Sequence, residues 1–164
     1  MTEAADYHIV VQKIKDLLTE NGVVFETFEH EPVRTSEEAA KIRTGYTIHQ
    51  GAKAIIVKAK SEGEKRFMMF VIPADLRFDS AKLKALGITN IRFATEEEVS
   101  EITGGVLPGG VPPFGNLFEL PFIVDKGVLE NERIVFNAGD RRFSIAMRAD
   151  DYARVLGPRV EDIT

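Results

Sequence analysis

Apolar positions near the start of the chain recur at helical spacing. Val10, Val11, Ile14, Leu17 and Leu18 fall on one stripe while Lys13, Lys15 and Asp16 face away, which predicts a helix from about His8 to Glu20. Asn21-Gly22 supplies its stop, because glycine tolerates the left-handed cap conformation. Val23 to His30 then reads as a strand with Phe25 and Phe28 inside it, ended by Pro32. Thr35 and Glu38 stand at capping-box spacing and open a second helix, which runs through Ala39, Ala40 and Lys41 and stops before Gly45. Ala52 to Ala59 and Arg66 to Pro73 read as two strands joined by the polar turn Ser61-Glu62-Gly63-Glu64. Ile55-Ile56-Val57 and Met68 to Ile72 are continuously apolar, the pattern of strands in the middle of a covered sheet.

The second half alternates shorter elements. Asp79 or Ser80 caps a short helix ending at Gly87, Ile91 to Ala94 reads as a strand, and Thr95 with Glu98 repeats the capping-box spacing ahead of a helix to about Thr103. Beyond a loop from Gly104 to Gly115 come strand candidates at Pro121 to Asp125, Arg133 to Asn137 and Phe143 to Met147, and a short helix from Asp150 to Leu156. No repeat, linker or low-complexity segment interrupts this order. The expectation is one α+β domain over residues 1–164, a mixed and largely antiparallel sheet with flanking helices.

Composition narrows the classes of function. A chain of 164 residues suits one sizeable core. No stretch approaches the ~20 consecutive apolar residues of a membrane span, and the acidic start lacks an apolar signal region. Zero cysteines exclude disulfides, thiolate metal sites and a cysteine nucleophile, in keeping with a cytoplasmic protein. Twenty-one basic against 26 acidic residues leave a net charge of −5, unlike a protein that grips nucleic acid through many phosphates. A role with RNA then requires contact with a short piece of it, or help from a partner.

Three segments carry candidate chemistry. Gly104 to Gly115 reads GGVLPGGVPPFG, five glycines and three prolines in twelve residues. Glycines let a backbone approach a ligand and prolines stiffen the path between them, so such a loop can aim N–H groups at a carbonyl or phosphate oxygen. Turn chemistry explains the same residues, although a plain turn needs only two to five. It contains neither a Walker Gly-Lys-Ser/Thr nor a GxGxxG spacing. Lys53 opens an apolar strand beside the small Gly51 and Ala52; it is either a snorkelling surface residue or a charge aimed into a cleft. Phe136-Asn137-Ala138-Gly139, with Ser144 after it, reads as a turn at a strand end or as polar donors closing a pocket. His8, His30 and His49 are too scattered for a zinc site, there is no HExxH or GxSxG, and no metal or cofactor is expected.

Together these segments resemble the YbaK/prolyl-tRNA-synthetase-associated editing family. The resemblance runs from about Ile9 to Arg148. It includes the strand ending His30-Glu31-Pro32, then Thr35-Ser36-Glu37-Glu38-Ala39-Ala40, then Gly51-Ala52-Lys53-Ala54-Ile55-Ile56. The segments Gly110-Val111-Pro112-Pro113-Phe114-Gly115 and Phe136-Asn137-Ala138-Gly139 with Ser144-Ile145 complete it. Each segment is weak alone; their order and spacing are specific.

The resemblance implies a trans-acting deacylase that hydrolyses the ester of tRNA mischarged with a small amino acid, read at its acceptor end. A synthetase is implied as a second partner. Lys53 is implied as the residue needed for deacylation. Gly105, Gly109, Gly110, Val111, Pro113, Phe114 and Gly115 of the loop are implied to bind substrate, with Asn137, Gly139, Ser144 and His30 around the same pocket. Two departures bear on which amino acid fits: Pro112 stands where some members carry serine, and Gly104 is one glycine more than the pattern. The residues alone offer no general base, so the resemblance leaves water activation to substrate groups such as the ribose hydroxyl. The alternative is a non-catalytic module that binds an aminoacyl group or nucleotide, for instance within a synthetase assembly.

Overall fold

The computed structural model describes residues 6–32 and 45–164, and the helix expected from Thr35 to Lys41 lies outside the described residues. Helix α1 spans Ile9–Glu20 and buries Val10, Val11, Ile14 and Leu18. Each such side chain contributes on the order of 1.5–3 kcal/mol by leaving water. Its N-cap is His8, whose Nδ1 accepts from the Val10 N–H at 3.2 Å, and Gly22 ends it at φ +69°. Strand β1 is Phe25–Glu29. Strands β2, Ala52–Ser61, and β3, Glu64–Pro73, pair residue for residue around Glu62-Gly63. Both turn residues have positive φ (+55° and +81°), the conformation whose twist matches a two-residue hairpin.

Helix α2, Ser80–Ala85, starts where Asp79 accepts from Ala81 and Lys82 N–H. Strand β4 runs Ile88–Phe93, three residues earlier than the apolar pattern suggests. Helix α3, Glu96–Thr103, has the expected capping box of Thr95 and Glu98 and ends at left-handed Gly104. Strand β5, Phe122–Asp125, is followed at once by one helical turn, α4, Lys126–Leu129, which the sequence pattern does not announce. Strands β6, Arg133–Asp140, and β7, Phe143–Arg148, form a second hairpin, then come helix α5, Ala149–Leu156, and a short strand β8, Arg159–Glu161.

The expected α+β architecture with mixed, largely antiparallel pairing forms, with the strands divided between two sheets. One has the order β4-β2-β3-β5-β8, where β5 lies parallel to β3 and β8 parallel to β5; the other is the antiparallel β1-β7-β6. A parallel bridge between Gly51 and Val135 joins them, with Val135 N–H donating to Gln50 O at 3.0 Å. Alternation along β2 sorts its side chains between two cores. Ala52 and Ile56 enter the main core with α1, Phe114, Phe136 and Tyr152, whereas Val57 and Ala59 enter a smaller one with Phe70, Ile72, Leu83 and Ile88. Lys53 shares the parity of Val57, so it stands on the smaller core's face of the sheet. The last strand is tied by the buried Asp125 carboxylate, which accepts from Ile163 N–H (2.8 Å), Gly127 N–H (3.0 Å) and Thr164 Oγ1 (3.1 Å).

Candidate functional site

The junction between the two sheets gathers five of the residues singled out above: His30, Gly109, Asn137 and Ser144, with Lys53 on the same face. Residues opposite each other across a bridge point to the same side, and so do residues two further on. The Gly51–Val135 bridge therefore puts Lys53 and Asn137 on one continuous face. Asn137 pairs with Ser144 across β6 and β7, and Phe28 of β1 pairs with Ser144, so His30 reaches the same place.

These side chains form a hydrogen-bonded chain. Asn137 Nδ2 donates to Gly109 O at 2.6 Å, and Asn137 Oδ1 lies 3.2 Å from Ser144 Oγ. Ser144 Oγ lies 2.8 Å from His30 Nε2, and His30 Nδ1 lies 2.8 Å from Glu31 O. A carbonyl only accepts, so His30 carries its proton on Nδ1, and in the neutral ring Nε2 accepts from Ser144. Among the described residues, His30 and Asn137 both stand as acceptors for the one Ser144 hydroxyl proton. Four expected residues from three parts of the chain, His30, Gly109, Asn137 and Ser144, are thus physically connected.

The loop divides by burial. Gly109 is exposed, and Pro108 to Gly110 form a single 3-10 turn. The Gly110 and Val111 N–H groups are spent on Leu107 O and Pro108 O, while the Gly109 N–H has no partner among the described residues. With the Leu107 N–H, which also has no partner among the described residues, it is a donor that this half of the loop offers to a ligand. Val111, Pro113, Phe114 and Gly115 are buried. Phe114 packs on Phe136 and Tyr152, so its ring holds the loop down and presents no surface to a ligand. Gly115 is pressed against Phe122, where an added Cβ would come within 2.6 Å of the ring.

Beside the exposed half lies a cleft of about 480 Å³, lined by Tyr7, His8, Pro32, Gly105, Gly110, Gly139 and Arg142 among others. It takes in three expected residues, Gly105, Gly110 and Gly139, and does not include Lys53. Gly139 has φ +104° and lets α1 approach, since a Cβ there would meet Val10 at 2.8 Å. Asp140 in the cleft wall is held below the usual carboxylate range, chiefly by hydrogen bonds from Arg142.

Lys53 is half-buried, and its Nζ donates to Leu76 O at 3.4 Å. Burial, then the neighbouring Arg77 guanidinium, push its pKa below the ordinary lysine value, and Asp75 opposes them in part. Neither Arg77 nor the pairing of Asp75 with His49 Nδ1 (2.9 Å) is anticipated by the sequence pattern, because the turn after β3 that brings them here has no motif of its own. Among the described residues no cluster of three or more metal-ligating side chains occurs, and no helix is long and apolar enough to cross a membrane.

Residues 30–155 match the family model described as the aminoacyl-tRNA editing domain. The chain is 33% identical over 162 residues to the multifunctional Ser/Thr-tRNA deacylase ProXp-y of Escherichia coli K12, covering 98% of this chain and 96% of that protein. Among solved structures it is similar to a candidate trans-editing enzyme for prolyl tRNA synthetase, with a TM-score of 0.79, 25% identity and 99% of each chain covered. A scaffold protein used for epitope grafting shares the fold at a TM-score of 0.77 and 24% identity, covering 96% of this chain and 97% of its own.

Proposed function

The chain belongs to the aminoacyl-tRNA editing domain family, and we propose that it acts in trans as a single cytoplasmic domain, hydrolysing the ester between tRNA and a wrongly attached small amino acid. Its relative's name makes seryl and threonyl esters the first substrates to try. The observation that carries the site assignment is the junction. There Gly109 of the loop is tied through Asn137 and Ser144 to His30, on the face that also bears Lys53.

An aminoacyl ester needs water placed at its carbonyl and charge stabilised on the developing oxyanion. The unspent Gly109 N–H is a fixed dipole suited to that oxygen. Lys53 supplies positive charge beside it or holds the terminal ribose and phosphate. Its pKa is lowered first by burial and then by the Arg77 guanidinium, so a bound anion would stabilise the charged form that its surroundings disfavour. Selection among amino acids by volume alone is worth about 1–3 kcal/mol per methylene. Delivery by an aminoacyl-tRNA synthetase would supply a second filter.

The test is release of amino acid from alanyl-, seryl-, threonyl-, cysteinyl- and prolyl-tRNA by wild type and Lys53→Met. Wild type is expected to release one or two of them, and the variant to lose at least about a hundredfold in rate, or roughly 2.7 kcal/mol. Stability should hold or rise. A lysine whose pKa is lowered on folding binds protons less readily folded than unfolded, so its charge opposes folding at neutral pH, and this penalty fades as pH climbs towards the unfolded lysine value. A fully active Lys53→Met enzyme would sink the assignment of Lys53.

A further inference from the structure

The face that carries Lys53 continues away from the junction. Phe93 of β4 pairs with Val57, so its ring stands on the same side of the sheet as Lys53 and Val57. Phe93 is 65% exposed. It is supported from behind by Phe78, with ring centroids 5.7 Å apart, and Phe78 in turn meets the fully buried Phe70 at 5.4 Å. A ring anchored on one side and open on the other offers a π-face for stacking.

Between this ring and Lys53 runs Leu76-Arg77-Phe78. Arg77 is exposed, makes no hydrogen bond or ion pair among the described residues, and sits close enough to Lys53 to depress its pKa. The carboxylates nearby are occupied: Asp75 holds His49, and Asp79 caps α2. Two neighbouring cations without a carboxylate of their own, next to an open aromatic ring, match a chain that alternates phosphates with planar bases. Lys53 and Val57 are four residues apart on the strand, about 13 Å, a reach suited to a few unstacked nucleotides. Contact over so short a stretch involves few phosphates, and a net charge of −5 does not oppose it.

We propose that Arg77 and Phe93 bind the single-stranded 3′ end of the RNA substrate, Arg77 holding a backbone phosphate beside Lys53 and Phe93 stacking an upstream base. This rests on the reading above that Lys53 marks the reactive end. Neither residue touches the ester, so both are substrate-binding residues.

The experiment is fluorescence anisotropy with a labelled short single-stranded RNA of acceptor-end sequence, using wild type, Phe93→Ala, Phe93→Tyr and Arg77→Gln. Thermal melts would establish that each is folded. Phe93→Ala is expected to weaken binding about tenfold and Phe93→Tyr to restore it, because stacking needs a ring and no particular base. Arg77→Gln should weaken binding and lower the slope of log K against log salt by about 0.7, the loss of one phosphate contact on a single strand. Wild-type affinity and salt slope in both variants would overturn the proposal, even if the protein deacylates tRNA. RNA binding with these dependences but no ester hydrolysis by wild type would retain the proposal and sink the deacylase reading instead.

Discussion

The two halves of the glycine-proline loop are built from nearly the same residue types, and the fold uses them in opposite ways. Gly104, Gly105, Leu107, Pro108 and Gly109 are exposed, while Val111 to Gly115 are buried without a break. The first half is held at separate points: Val106 in the main core, Val106 N–H on Thr103 Oγ1, Gly105 N–H on Ser100 O, Gly104 O on His8 Nε2, and Gly109 O on Asn137. The second half is held everywhere, by Phe114 between two aromatic rings, by the Tyr152 hydroxyl donating to Pro113 O, and by Gly115 against Phe122. A backbone that must meet a ligand needs freedom to leave its N–H groups unspent, and also needs a fixed base. The division supplies both: the buried half anchors, and the exposed half presents Gly109.

If that division is right, damage to the buried half should appear first in stability. Phe114→Ala removes a fully buried ring from a three-ring contact, and the expected loss is about 3–5 kcal/mol, read by chemical denaturation. Retention of wild-type stability would mean that the loop does not depend on this anchor.

Gly115→Ala sharpens the same contrast with one methyl group. The added Cβ would lie 2.6–2.9 Å from three atoms of Phe122, so the ring or the loop must move. Overpacking of this kind costs about 1–3 kcal/mol. Phe122→Ala in the same chain removes two of the three contacting atoms, Cγ and Cδ1, and should recover part of the Gly115→Ala loss when compared with Phe122→Ala alone; additive losses in the double variant would refute this cause.

How these halves would divide was not written in their composition. Glycine and proline predict a loop equally well on either side of Gly110, and what separates them is a partner far along the chain: Phe122, Phe136, Asn137 or Tyr152. Elements set by local chemistry were legible, such as the Thr95–Glu98 capping box, the Glu62-Gly63 turn and the stripe of α1. Those set by distant pairing were not. β8 is three residues long and exists because β5 offers an edge. α4 escapes the sequence pattern for a different reason: its cap, Asp125, is local, but a single turn is too short to show a period. The junction of the two sheets includes an isolated bridge between Gly51 and Val135, residues far apart in the chain. The site follows the same rule. Asn137 looks like a turn former and stands instead in a paired stretch of β6, where its side chain spans to the loop. Arg77 sits in a segment with no motif, and only the folded turn sets it beside Lys53.

The smallest expected change in stability tests the exposed half. Asn137→Ala removes the donor that fixes Gly109 O at 2.6 Å, in a part of the loop open to water. Water can satisfy the released carbonyl, so the loss of stability should stay under about 1 kcal/mol. Ser144 keeps His30 as an acceptor for its proton, so the buried hydroxyl is not stranded. Activity should respond out of proportion to stability. With the tether gone, the Gly109 N–H no longer points in one direction, and a donor that must reorient at the moment of reaction loses its catalytic advantage. A fall of about tenfold in kcat, near 1.4 kcal/mol, with KM little changed would place Gly109 at the developing charge. A rise in KM with kcat unchanged would assign Gly109 to binding of the ground state. An unchanged enzyme would show that the exposed half is held well enough without Asn137, and the contrast between the halves would then rest on burial alone.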